Sequence, residues 1–409
     1  MIARLAIRSL LPAIIPLFIM TAQTPSATAQ DVADRFDKVK VRDVISRRFT
    51  QQEMYGWLTP IVQAGTVRTT SAGTSAEGRT INLYRYGTGP VKVLLWSQMH
   101  GDESTATMAL LDIMSFLRAE PGHPVSRAVR DRLTVLMLPM INPDGAERFT
   151  RRTAQAIDMN RDAMRFTTPE ARVLKSVHDA ERPDFGFNLH DQDTRYTVGT
   201  TRQITAIALL APATDETRAD NAVRLRAKRV AAGVATVLGR FIPGKVAKWD
   251  DTFEPRAFGD NMQRWETSTV LIESGGWAGD PEKMHLRKMN FVALLCALHE
   301  IATGSYERND PAPYEALPFN MRLAFDVIIR NAKLQTSPGI PAAIVDVGIN
   351  VTPGTDSTEV VASVEDIGDL STYTAYKVYD AAGAELDARL VILENKLTAE
   401  QLRSLLPQN

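Results

Sequence analysis

Four side chains in this sequence could cooperate around a single cation: His100, Glu103, His190 and Glu273. His100 and Glu103 stand three residues apart in "SQMHGDEST", where the apolar run "VKVLLWSQ" (91–98) ends. His190 closes the run "FGFNLHD" (185–191), and Glu273 lies near the end of "TSTVLIESGG" (267–276). An imidazole and a carboxylate at that spacing reach one ion from a strand-to-helix turn, and a second imidazole on another strand makes three protein ligands. Three ligands leave a position open for water, which is the arrangement of a catalytic rather than a structural zinc site. A carboxylate on its own strand beside such a water is suited to be the general base. The pattern therefore predicts one Zn2+ per chain on His100, Glu103 and His190, with Glu273 as the base. A single His-x-x-Glu occurs often by chance; the strand-end position of all four residues gives the pattern its weight. His123, His178, His285 and His299 are assigned no role.

The elements that must position these residues are legible as apolar runs. Residues 91–98 form a continuous apolar run and read as a buried strand, and 133–141, 185–191, 206–212 and 267–276 read as further buried strands. "TVRTT" and "TINLYRYG" are shorter strand-like runs around the loop "SAGTSAEGR". Helical periodicity marks residues 35–60, 104–117, 215–239 and 281–301. This alternation predicts an α/β fold, with a mixed, mostly parallel central sheet and helices on both faces. In such sheets ligands sit beyond the carboxyl ends of the strands, where the four candidate residues lie. After Gly304 the texture changes. "SYERNDPAPYEALP" reads as a linker, "NMRLAFDVIIRNAKL" as a helix, and "AAIVDVGINV", "TEVVASVE" and "YTAYKVYD" as strands of a small β-rich C-terminal module.

The 409 residues include 44% hydrophobic and 23% charged, with a formal net charge of -1. Such a chain can bury a sizeable core, and its charge balance gives no basis for a nucleic-acid partner. The lone Cys296 precludes an internal disulfide and, in "FVALLCALHEI", reads as a buried small hydrophobe. At the N-terminus, Arg4 and Arg8 precede an apolar stretch from Leu10 to Met20, and Ala27 and Ala29 follow at A-x-A spacing. This is the pattern of a secretory signal peptide cut after Ala29. The expected division is 1–29 signal peptide, 30–304 catalytic domain and 305–409 C-terminal module of unknown role. The mature chain is expected to be exported, periplasmic or secreted, with no membrane span.

Residues 141–162, "INPDGAERFTRRTAQAIDMNRD", carry Arg148, Arg151, Arg152 and Arg161 in an otherwise neutral protein. Guanidinium forks match a carboxylate, although composition alone equally allows a solvated basic loop. Taken together, "MHGDE", "NPDG", "DMNRD", "NLHD" and "LIESGG" resemble, in order and spacing, the motifs of the zinc carboxypeptidase family, the carboxypeptidase A-like metallopeptidases. The resemblance covers roughly residues 50–303. It implies that His100, Glu103 and His190 bind zinc, that Glu273 activates water, and that Asn160 and Arg161 hold the terminal carboxylate of a peptide. It also implies that Asp158 accepts a hydrogen bond from His100, and that one of Arg151 and Arg152, with Arg152 favoured, steadies the oxyanion. The chain departs from digestive members in two places. "KVAKWDDTFEPRAFGDNMQRWE" has no tyrosine, so Trp249 or Phe253 could line the site instead, and Asp191 follows His190 where those enzymes have serine. Arg256, Phe258 and Asp260 in the same stretch declare no simple side-chain preference.

The expected activity is that of an exported metallocarboxypeptidase, with a peptide or amide carrying a free carboxylate as substrate. The alternatives are a zinc amidase or carboxypeptidase acting on cell-wall peptides or N-acyl amino acids, and a non-catalytic peptide-binding protein on the same fold.

Overall fold

A computed structural model of the chain describes residues 27–353 and 360–407. The expected signal segment falls almost wholly on residues 1–26, outside the described residues, and the first helix, Ala27–Val39, runs across the expected cleavage point. Among the described residues, no helix is long and apolar enough to cross a membrane.

Among the described residues, nine strands precede residue 304: β1 (Arg68–Thr74), β2 (Thr80–Tyr86), β3 (Val91–Ser97), β4 (Leu133–Leu138), β5 (Phe185–Asp191), β6 (Thr197–Val198), β7 (Ile207–Leu210), β8 (Val246–Lys248) and β9 (Ser268–Ser274). All but β6 join one sheet, in the order β1-β2-β4-β3-β5-β9-β7-β8. Its centre, β4-β3-β5-β9, is parallel, as is the edge pair β7-β8, while β1-β2, β2-β4 and β7-β9 are antiparallel pairs. Every residue of β4, β5 and β9 is buried, which explains why these runs show no alternation in the sequence. Val93 and Leu95 pack into a core with helices Thr105–Ala119 and Met284–Thr303. Leu94 and Trp96 pack on the other face, against Pro169–Glu181 and Phe258–Arg264. The expected mixed, mostly parallel sheet with helices on both faces is thus the observed one.

Several boundaries differ from expectation for local reasons. The helical stretch expected over 35–60 is two helices, and the second, Gln51–Gln63, starts at a capping box between Thr50 and Glu53. The helix expected from 215 begins at Ala222, where the Asn221 side chain accepts a hydrogen bond from Arg224 N. Cys296 is buried as expected, and burial pushes its thiol up to about 12.

The C-terminal module is a five-stranded sheet, with β10 (Asn320–Met321) set apart to pair with β6. Its strands are β11 (Ala324–Leu334), β12 (Ala343–Pro353), β13 (Val360–Gly368), β14 (Thr374–Asp380) and β15 (Lys396–Leu397), in the order β14-β11-β12-β13-β15. The helix expected over "NMRLAFDVIIRNAKL" is a correction: these residues form β10 and β11. Val327, Ile328 and Ile329 are β-branched, and β11 is flanked by β12 and β14, so pairing on both sides overrides the helical spacing. The presumed linker is packed rather than loose. Tyr314 is buried, and its hydroxyl accepts from Ala211 N at 2.9 Å.

Candidate active site

The carboxyl ends of β3, β5 and β9 converge because these strands are parallel neighbours in the sheet. His190 and Glu273 are register partners across β5 and β9. His100 is reached through a turn after β3 in which Gln98 takes a positive φ of 55°. Gly101 is required there, since a Cβ would lie 2.0 Å from the Gly145 carbonyl carbon. The turn closes with Glu103 N donating to His100 O at 3.1 Å, and the Thr105–Ala119 helix follows.

His100 Nδ1 lies 2.8 Å from Glu103 Oε1, and His190 Nδ1 lies 2.7 Å from Glu103 Oε2. One donor atom from each of the three falls within 4.8 Å of the others, and all three residues are buried. Two imidazole nitrogens and a carboxylate turned to a common point fit zinc in ligand type and number. The far nitrogen of His100, Nε2, meets Asp158 Oδ1 at 3.1 Å, which fixes the ring with Nδ1 toward that point. Asp158 Oδ1 also accepts from Asn160 N at 2.9 Å, so one carboxylate orients both the imidazole and the following turn.

Burial disfavours charge on both histidines. At His190 burial prevails and lowers the pKa; at His100 the nearby charge of Glu103 and the bond to Asp158 outweigh it and push the ring up to about 9. Burial opposes ionisation of Glu103 as well, but the two imidazoles hold its carboxyl well below the usual range. Glu273 is the opposite case. Burial, with the charge of Glu103 adding to it, raises its pKa well above the usual range, and its Oε2 is buried without a hydrogen-bond partner.

These residues line a cavity of about 450 Å³ that also takes in Arg151, Asn160, Arg161, Tyr196, Trp249 and Asp260. The Asn160 Oδ1 accepts from Phe258 N at 2.9 Å, which leaves its Nδ2 as the group available to a ligand's acceptor. Arg161 donates to Asn160 O at 2.8 Å and lies 3.4 Å from Glu254 Oε2. The expectation for Arg152 does not match its position. Arg152 is exposed and donates to Ala156 O, outside the cavity. Its neighbour Arg151 reaches inward instead, with Nη1 3.1 Å from both His100 Nδ1 and Glu103 Oε1, and with Asp158 Oδ2 anchoring its Nε and Nη2.

Trp249 and Phe253 line the cavity, as the missing tyrosine suggested. Phe258 does not; it is core, whereas Asp260 two residues on faces the cavity. Two participants escaped sequence reasoning. Tyr196, tilted at 53° against Trp249 with 5.6 Å between ring centroids, comes from an irregular loop with no periodicity to mark it. Lys283 is buried, with Nζ 3.1 Å from Asp191 Oδ2 and 2.9 Å from Ser274 O, so it ties the ends of β5 and β9 together. A lone lysine at a helix start gives no sign of this in the sequence.

Residues 54–230 match the family profile described as "Zinc carboxypeptidase"; the match includes the three donor residues and ends before Glu273. Carboxypeptidase 2 of Trichophyton rubrum is 24% identical over 162 residues, which is 39% of this chain and 29% of that protein. The chain spans at most 30% of the length of the curated relatives it matches. Among solved structures, a metallo-carboxypeptidase from Burkholderia cenocepacia has a similar fold, with a TM-score of 0.50 at 16% identity over 63% of this chain and 70% of that one. Bovine thrombin-activatable fibrinolysis inhibitor gives a TM-score of 0.50 at 12% identity over 64% of this chain and 98% of that one. The profile match over residues 54–230, the His-Glu-His donor set and the similar fold agree with one another, and in that region the chain is similar to the zinc carboxypeptidases.

Proposed function

We propose that this protein is a metallocarboxypeptidase that hydrolyses the peptide bond next to a C-terminal residue. One observation carries the reading: the three donor residues, the unpartnered carboxylate oxygen of Glu273, and the Arg161 guanidinium all line one cavity at the carboxyl ends of the central strands. His100, Glu103 and His190 would hold a single zinc ion. When bound there, zinc supplies Lewis-acid polarisation of the scissile carbonyl and lowers the pKa of an attacking water.

The chain's own groups do the rest. Glu273, made more basic by burial, takes the proton of the attacking water and returns it to the leaving amine. Arg151 offers N–H donors to the carbonyl oxygen as its negative charge develops. Asp158 steadies both His100 and Arg151. Arg161 and the Asn160 amide hold the substrate's terminal carboxylate, for which a planar guanidinium is the matched partner. The N-terminal arginines, apolar stretch and Ala-x-Ala spacing support action outside the cytoplasm, in the periplasm or secreted.

The test is a cycle of two substrates and two enzymes, with zinc content measured throughout. Wild type should cleave an N-acylated dipeptide with a free C-terminus, cleave its C-terminal amide poorly, and lose activity to a chelator until zinc is restored. Arg161→Lys should keep its zinc and lose roughly 10-fold or more on the acid, from charge-assisted bonds of about 1.5–3 kcal/mol each, with little further loss on the amide. Equal cleavage of acid and amide by wild type would remove the carboxylate clamp and point to an amidase or endopeptidase.

A further inference from the structure

The chain leaves the metal-ligand strand β5 at Asp191 and then runs along the C-terminal module for eight residues. Gln192 Oε1 accepts from Asn320 Nδ2 at 2.8 Å. Asp193 pairs with Arg322. Thr194 O accepts from the Tyr376 hydroxyl at 2.8 Å. Arg195 donates to Asp326 Oδ2 through Nε and Nη2, at 3.0 and 2.6 Å, and to Val351 O at 2.8 Å. The Arg322 guanidinium lies over the Tyr196 ring. Thr197 and Val198 pair with Met321 and Asn320, and Gly199 N donates to Phe319 O at 2.9 Å. Each residue from 192 to 199 therefore has a partner in 319–376.

The same module also reaches the strand of the candidate base. Gly276, three residues beyond Glu273, has no room for a side chain, because a Cβ would stand 1.9 Å from the Tyr376 hydroxyl oxygen. Tyr376 thus seats against the turn after β9 while bonding the loop after β5. Gln192 N closes the unit by donating to Ser274 O at 3.0 Å. Three side chains of the held segment, Gln192, Asp193 and Tyr196, form part of the cavity wall.

We propose that the C-terminal module is a positioning element of the active site: β10, Asp326 and Tyr376 hold residues 192–199, and so fix the wall that the substrate meets. The substrate half of this inference rests on the proposed peptidase function. The metal ligands sit inside the sheet core and do not need the module. Loosening it should therefore change substrate fit before it changes metal binding.

Tyr376→Phe keeps the ring against Gly276 and removes one bond; Arg195→Ala removes the ion pair, and Arg195→Lys restores part of it. The first two variants should keep wild-type zinc content, raise KM for a free-acid peptide by roughly 2- to 30-fold, and change kcat less. Arg195→Lys should recover part of the KM loss. Amide hydrogen exchange should quicken at residues 192–199 and stay slow in β3 and β5. An unchanged KM with quickened exchange overturns the coupling to substrate. A lower melting temperature with neither KM nor local exchange altered overturns the proposal as a whole. If wild type cleaves no peptide, the peptidase reading fails by itself, and exchange at 192–199 still decides whether the module holds the loop.

Discussion

His190 and Glu273 are direct register partners on the parallel strands β5 and β9, both buried, yet their surroundings are opposite. His190 faces a carboxylate at 2.7 Å, whereas Glu273 keeps one oxygen with no partner. One position suits metal binding and the other suits proton transfer. Glu273→Gln keeps the shape and removes the basicity. It should bind one zinc per chain, as His190→Ala should not, and should lose on the order of 100-fold or more in kcat. Zinc analysis beside steady-state kinetics checks the assignment; near-normal turnover would remove Glu273 from the base role.

Much of this centre is legible in the sequence because it hangs on the most regular elements. A buried parallel strand shows as an unbroken apolar run, and polar residues at its carboxyl end stand out against that run, as His190 does after "FGFNL". What cannot be read in advance lies on irregular backbone. Arg151 and Arg152 are adjacent and alike in type, and only the path of the chain between Phe149, at a positive φ of 50°, and the turn at Thr153–Ala156 decides which one faces inward. Tyr196 and Lys283 depend on contacts between segments distant in sequence, for which local pattern holds no signal. The β11 strand was hidden for a different reason. Its apolar residues fit helical spacing, and pairing with β12 and β14, far along the chain, overrides that preference.

The two adjacent arginines give a sharp contrast. Arg151 sits over the donor atoms and is anchored by Asp158, while Arg152 bonds only a nearby backbone carbonyl, that of Ala156. Arg151→Ala should lower kcat by about 10²–10³, the usual cost of losing one donor to a developing oxyanion. Arg152→Ala should stay within a few-fold of wild type. Both should keep their zinc. If the two variants are equally impaired, Arg151 does not have a privileged role.

Asp260 supplies the pH dependence. It lines the cavity, burial is the main cause that raises its carboxyl from 3.8 to about 7, and Glu254 N donates to it at 3.1 Å. An acid whose pKa rises on folding costs nothing extra where both states are protonated. The cost appears as pH climbs above the unfolded value near 3.8 and is complete above the folded value near 7. Relative to Asp260→Asn, wild type should therefore lose stability between about pH 4 and pH 7, by at most about 4 kcal/mol. A cationic side chain on the substrate would offset that cost by pairing with the ionised carboxylate. The ratio of kcat/KM for a peptide ending in lysine or arginine to that for one ending in methionine should then rise from pH 6 to pH 8 in wild type. In Asp260→Asn it should be lower and nearly flat. The same pH series in thermal melts separates the two effects, since the stability difference needs no substrate. A ratio that follows the same curve in both enzymes would mean that Asp260 does not meet the substrate's side chain, whatever it does to stability.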